Sequence, residues 1–365
     1  MMRKKGVQAE GKGAEGGGGP KRSRPRIKDI ARYAGVSYST AARVLSRNET
    51  YAISEKMRER VLDVARKHRY STDPFARYMR KRRSHIIGMC GVMPHTLSDA
   101  AITYRIELNR RVAGINSSPY YKDYNLMLLL RDDQAADLEA RLAQGVAYMD
   151  GLIYVSPTTK QKPMLKRLAK HVPIVLEDAE GVDELCSVSV DQHGAIESAT
   201  RLLANRGCKR IGLLTHRGTE YYHNQIRVKA LRKTLQALGM PAAGPDQVFA
   251  NYQGRQGAHS AALAMIESRH SIDGLIVPRD EELVGALDAI GESGLALGRG
   301  IKLISVNETE FSRHMKPGIT VVRFPAEQVA REAVELLVRL IEGHVHGTEH
   351  ILVPASIVER QSTTG

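Results

Sequence analysis

The 365-residue sequence predicts a multi-domain chain: an all-α helix-turn-helix head followed by an α/β body large enough for two lobes. Three observations carry this. Residues 1–85 hold 23 Lys and Arg against 8 Asp and Glu, while residues 86–365 hold 31 against 32, so all of the excess positive charge lies in the first quarter. Apolar residues between Ile27 and His68 recur at helical spacing. After Ile86 the texture changes to short apolar runs alternating with amphipathic stretches, the pattern of parallel sheets covered by helices.

Residues 1–25 are rich in Gly, Lys and Arg with almost no bulky apolar side chains, so a disordered basic tail is expected. Gly11–Gly16 matches a G-x-G-x-x-G pattern, but no strand precedes it and no helix follows, so it carries no dinucleotide-binding meaning. Residues 26–72 form the expected head. Ile27, Ile30, Ala31 and Ala34 mark a first helix that Gly35 stops. Ser37 caps a second helix running to Leu45, with Ala41, Val44 and Leu45 turned inward. Ser54 starts a third, whose expected buried stripe is Met57, Val61, Val64 and Ala65. Two short helices joined by a tight Gly turn and backed by a third make the helix-turn-helix unit.

Residues 73–84 form a linker and residues 85–365 the body. Its expected strands are Ile86–Val92, Asn125–Leu130, Leu152–Val155, Ile174–Leu176, Ile211–Leu214, Gly274–Val277, Leu303–Val306 and Ile319–Val322, with Ser356–Glu359 also strand-like. Helical stretches are Glu197–Asn205, Val228–Ala237, Ala258–Glu267, Leu283–Ser293 and Glu327–Ile341.

No apolar run approaches the ~20 residues of a membrane span, and no apolar segment follows the basic start, so a cytoplasmic chain is expected. Cys90, Cys186 and Cys208 lie far apart without C-x-x-C spacing and read as reduced structural thiols. The sequence carries no P-loop, no G-x-S-x-G and no H-E-x-x-H, so neither an enzyme nor a cofactor is expected. His344, His346, Glu349 and His350 cluster, but in a segment that reads as a solvated turn rather than a metal site. One basic end on a neutral body suits a polyanion, with nucleic acid the first candidate.

The run Ile27-Lys28-Asp29-Ile30-Ala31-Arg32-Tyr33-Ala34-Gly35-Val36-Ser37-Tyr38-Ser39-Thr40-Ala41-Ala42-Arg43-Val44-Leu45 resembles the DNA-binding head of the lac-repressor (LacI) family, whose pattern reads roughly I-K-D-V-A-x-x-A-G-V-S-x-x-T-V-S-R-V-L. The resemblance implies that Tyr38, Ser39 and Arg43 read base edges in the major groove. An Arg so placed can donate two hydrogen bonds to guanine. Ser37 and Thr40 offer hydroxyls to phosphate, which positions the head without specifying sequence. Ala41 and Ala42 depart from the usual Val-Ser, Arg26 stands where Ser or Thr usually caps the first helix, and the loop Arg47–Ile53 is about two residues longer than the family norm.

Asp73-Pro74-Phe75-Ala76-Arg77-Tyr78-Met79-Arg80 resembles the family's hinge segment, N-P-x-A-x-x-L-R. The resemblance implies that Ala76, Met79 and Arg80 contact DNA, with Met79 in place of the Leu that wedges into the minor groove. The basic cluster Arg80–Arg83 would follow phosphates.

Ser189-Val190-Asp191, Arg210-Ile211-Gly212 and Ile319–Arg323 resemble the family's effector domain, which implies a two-lobed, periplasmic-binding-protein-like fold around a central cleft. Carried over residue by residue, Asp178, Arg227, Arg279 and Asn307 are the expected ligand-binding positions. Arg279-Asp280 and Asn307-Glu308 replace the usual Asn-Asp and Asp-Asp pairs. Two arginines with one carboxylate fewer suit an anion, so the expected effector is a sugar or a sugar acid. The partners implied are double-stranded DNA bearing a palindromic operator, this effector, and a second copy of the chain, since two heads related by a twofold axis match a palindrome. No leucine heptad follows the strand-like Ser356–Glu359, so a dimer rather than a tetramer is expected.

Overall fold

In the computed structural model the described residues are 25–45, 53–70, 83–92, 99–131, 137–179, 182–215, 222–244, 247–249, 254–269, 271–278 and 280–365. Two units, Met1–Arg82 and Arg83–Gly365, divide the chain. Within the first, α1 (Ile27–Ala34), α2 (Tyr38–Leu45) and α3 (Glu55–Lys67) enclose a small core. Ile30, Ala31 and Ala34 of α1 meet Ala41 and Val44 of α2 and Val61 and Ala65 of α3. Val64 and Leu45 are only partly buried, and Met57 is 41% exposed. The buried set on α3 begins at Val61, so its first turn projects past what two eight-residue helices cover. Arg26 does not leave α1 uncapped, because its backbone N–H donates to the Asp29 carboxylate (2.9 Å).

The second unit contains β1 (Ile86–Val92), α4 (Asp99–Ser117), β2 (Asn125–Arg131), α5 (Leu138–Val146), β3 (Gly151–Val155), α6 (Lys162–Leu168), β4 (Ile174–Glu177), β5 (Ser187–Val190), α7 (Gln192–Asn205), β6 (Ile211–Leu214), α8 (Tyr222–Ala237), β7 (Val248–Phe249), α9 (Gly254–Glu267), β8 (Gly274–Val277), α10 (Asp280–Glu292), β9 (Lys302–Val306), α11 (Glu310–His314), β10 (Thr320–Arg323), α12 (Ala326–Ile341), β11 (His350–Val353), β12 (Ser356–Val358) and α13 (Gln361–Thr364). Two six-stranded sheets result. Their orders are β11-β5-β4-β3-β1-β2 and β12-β10-β9-β8-β6-β7. Every pairing is parallel except β10 with β12.

The central strands are buried on both faces, as helix-covered parallel sheets require. The eight apolar runs all lie on strands, whereas β5 and β7 have no such signature and the apolar Ile351–Val353 of β11 follows directly on the histidine-rich segment read as a solvated turn. In β5 the residues Ser187 and Ser189 interrupt the apolar run, yet both are buried. Their hydroxyls are satisfied by His350 Nδ1 (2.9 Å) and by the Ala179 N–H (3.0 Å). Of the five helices expected in the body, four start three to six residues late because their first turns are polar, and α12 starts one residue late. Asp191 shows this for α7: it caps the helix by accepting from the Gly194 N–H (2.7 Å).

The chain passes between the lobes three times, from β5 to α7, from β10 to α12 and from β11 to β12. Helix α12 follows a strand of the second sheet but buries Val329, Ala330, Ala333, Val334 and Leu337 on the first. Phe324 and Ala355, on two of the crossings, each pack against a core of either lobe. Helix α4 crosses α12 closely at Gly114, where a Cβ would fall on the Glu327 carbonyl. Gly114→Ala is therefore expected to destabilise the protein by about 2 kcal/mol through forced separation of two packed helices, measured by denaturant unfolding.

Candidate nucleic-acid interface and ligand cleft

The turn between α1 and α2 depends on Gly35, whose φ of 63° lies in the left-handed region. Its N–H reaches the Arg32 carbonyl (3.2 Å) and the Val36 N–H reaches the Ala31 carbonyl (3.0 Å), closing α1. Ser37 then accepts from the Thr40 N–H (3.1 Å) and caps α2. Its hydroxyl also lies 2.8 Å from the hydroxyls of both Ser39 and Thr40. With Ala41 and Val44 in the core, the opposite side of α2 faces outward: Tyr38 is 57% exposed, Ser39 and Arg43 are exposed, and Thr40 is half-buried. The expected base readers thus share the outer side of one short helix. An exposed tyrosine there is explained by no packing within the head. The hinge positions Ala76, Met79 and Arg80, and most of the loop Arg47–Ile53, lie outside the described residues.

In the second unit two of the four expected ligand residues sit at C-terminal ends of parallel strands, where α/β sheets bind ligands. Asp178 follows β4, and Asn307 follows β9 of the other lobe. Both have positive φ, 57° and 85°, a conformation Asp and Asn tolerate better than most residues. Six residues outside the expected set join them: Glu107, Arg110, Arg111, Ser156, Glu177 and Glu308. Arg111 of α4 binds Glu177 through Nε, Asp178 through Nη2 (3.3 Å) and Glu107 through Nη1 (3.4 Å). The Ser156 hydroxyl also donates to Asp178 (3.3 Å). From the other lobe, Asn307 Nδ2 donates to Glu107 (3.1 Å), and Arg110 donates to the Glu308 backbone carbonyl (3.0 Å). One helical turn of α4 therefore grips both lobes. Glu107, Arg110 and Arg111 stand at i, i+3 and i+4, which the sequence could have yielded only if the helix had been recognised.

Arg227 takes a separate place on α8. It is 6% exposed, and its Nε donates to Gln192 Oε1 (2.9 Å) at the start of α7. Arg279 lies outside the described residues. Of the four expected positions, Asp178 and Asn307 are thus brought into one hydrogen-bonded network.

Two buried carboxyls in this region are shifted in opposite directions. Burial pushes Glu177 up to about 7, with Arg111 opposing the rise and Asp178 adding to it. Burial would raise Glu308 too, but hydrogen bonds from Arg323 (2.7 Å), Arg360 and Arg313 (3.3 Å) hold it at about 2. Glu177 binds its proton more tightly folded than unfolded, so its contribution is full below about pH 4.5 and is lost as pH rises through about 7. Glu308 behaves oppositely: its contribution is present above about pH 4.5 and is lost as pH falls through about 2. Melting temperature plotted against pH checks both, with Glu177→Gln flattening the limb between 4.5 and 7 and Glu308→Gln removing part of the acid limb.

Residues 26–73 match the family of bacterial regulatory proteins, lacI family, and residues 200–363 match the periplasmic binding protein-like domain. Catabolite control protein A of Priestia megaterium is 25% identical over 92% of this chain and 98% of its own length. Among solved structures, the lac repressor dimer bound to operator and the anti-inducer ONPF superposes with a TM-score of 0.79 at 21% identity, covering 94% of this chain and 100% of that one. The transcriptional regulator CelR in complex with cellobiose superposes with a TM-score of 0.68 at 20% identity, covering 93% and 100%. A helix-turn-helix head joined in sequence to a periplasmic-binding-protein-like body is the fold these superpositions cover. The chain belongs to the lacI family of bacterial regulatory proteins and is an effector-controlled, DNA-binding transcription regulator.

Proposed function

We propose that this regulator is a cytoplasmic repressor that binds a palindromic operator as a homodimer and responds to a sugar-like effector in the cleft between its two lobes. The observation that carries the reading is the outer side of α2, where Tyr38, Ser39 and Arg43 stand clear of the core. Segregation of the positive charge into residues 1–85 supports the same reading, since phosphate neutralisation is what such a charge can do. The division into a head at 26–72, a DNA-contacting hinge at 73–84 with Ala76, Met79 and Arg80, and an effector domain at 85–365 belongs to this proposal. No helix among the described residues is long and apolar enough to cross a membrane.

Two exposed leucines support dimerisation. Leu128 (43% exposed) and Leu130 (47% exposed) stand two residues apart on β2, an edge strand, and so on one face of it. Unpaired apolar edges are ordinarily covered. For the effector, the network around Asp178 and Asn307 favours hydroxyl groups, which can donate to carboxylates and amides at once. The acidic alternative would draw on Arg227 and Arg279.

Sheared genomic DNA from the source organism, incubated with the protein and sequenced after retention, is expected to yield a short palindrome overlapping promoters. Retention without a shared sequence would count against the reading. On the palindrome so found, Arg43→Ala is expected to weaken binding by about 10- to 100-fold in fluorescence anisotropy at fixed salt, with a smaller effect on unrelated duplex. Light scattering is expected to give twice the chain mass, and Leu128→Asp to shift it toward the monomer.

A further inference from the structure

We propose that Glu177 is a specificity-determining residue of the cleft, accepting a hydrogen bond from a hydroxyl or ammonium group of the effector and disfavouring acids. This rests on the reading that the cleft holds a small-molecule effector. Glu177 is 1% exposed at the end of β4. One of its carboxylate oxygens receives Arg111 Nε; the other, Oε2, is buried and has no hydrogen-bond partner among the described residues. Buried carboxylate oxygens are ordinarily satisfied, so an unmet one at the mouth of a parallel sheet marks where a donor belongs.

Asn307 repeats the arrangement from the other lobe. Its amide nitrogen must be the atom that meets Glu107, because only the NH2 group can donate to a carboxylate. That leaves Oδ1, also buried and without a partner among the described residues. Asn307 Oδ1 is an acceptor and Glu177 Oε2 is one whenever the carboxyl is ionised, and both belong to the network that runs from Asn307 through Glu107 and Arg111 to Glu177. A ligand that completes this network brings donors.

Charge points the same way. Three carboxylates, Glu107, Glu177 and Asp178, converge on Arg111, and Arg110 is shared between Glu107 and the Glu308 carbonyl. Burial is the main cause of the upward shift of Glu177; Asp178 and Glu107 add to it and Arg111 opposes it. A sugar acid would add a further negative charge beside them, whereas a neutral polyol or an amino sugar would not.

The test uses the full-length protein and calorimetry with a panel of neutral mono- and disaccharides, the matching amino sugars and the matching uronic acids. Neutral or amino sugars are expected to bind at least about tenfold more tightly than their acids, and Glu177→Gln to reduce that preference by about tenfold. An amino sugar as the tightest ligand identifies ammonium as the donor, and a neutral sugar identifies hydroxyl. The preference is a ratio taken within one variant, so partial loss of folded protein does not move it. Tighter binding of acids, or an unchanged preference in Glu177→Gln, overturns the proposal. If Arg227→Ala weakens binding while Glu177→Gln leaves both affinity and preference unchanged, the cleft reading stands and the role of Glu177 falls. If neither variant alters the affinity, or no member of the panel binds the wild type, the reading of the cleft as a sugar site falls as well.

Discussion

Helix α12 must bury its apolar stripe on the first sheet although the strand before it belongs to the second, and much of the effector domain follows from that constraint. Thirty-odd square ångströms of apolar area are worth roughly 1 kcal/mol when removed from water, and the α12 stripe holds eight buried side chains, so no arrangement that leaves it exposed can compete. The link from β10 to α12 is therefore fixed as a crossing. Arg323 at its start is drawn to Glu308, and Phe324 packs against both lobes. The close approach of α4 to α12 at Gly114 then sets where the 107–111 turn of α4 lies, and with it the bridge from Arg111 to Asp178 and from Glu107 to Asn307.

The head obeys a different economy. Its core consists mostly of alanine, valine and isoleucine, which lets three helices pack closely while leaving little apolar surface to hold them. Local chemistry therefore matters more here than in the body. Gly35 makes the turn, Asp29 caps α1, and the Ser37 hydroxyl orients the first turn of α2. The residues proposed to meet DNA are those the core does not use. The exposed and the buried residues thus occupy opposite sides of the same eight-residue helix, and Tyr38 or Arg43 can vary without disturbing Ala41 or Val44.

Legibility in the sequence tracked how strongly a segment's chemistry was forced. The head was readable nearly throughout, since the turn glycine, the capping serine and the apolar spacing all point to the same helices. Met57 misled because periodicity identifies a face but not how far along the helix the neighbours extend. In the body, Val-, Ile- and Leu-rich strands such as β3 and β8 announced themselves, while β5 hid behind two serines that find partners only in the folded sheet. Asp178 and Asn307 came from resemblance, and the network joining them did not. It hinges on Arg111, on a helix whose mixed polar and apolar residues give no clear stripe, and on Glu177, whose charge sits at the end of an otherwise apolar run.

Strands β11 and β12 are separated by two residues yet close opposite sheets, one beside β5 and the other beside β10. The two lobes have separate cores but share this single short ribbon as their last seam. Opening one lobe far enough to release its edge strand pulls on the edge of the other. The two lobes, held by separate cores, are therefore tied to unfold as one.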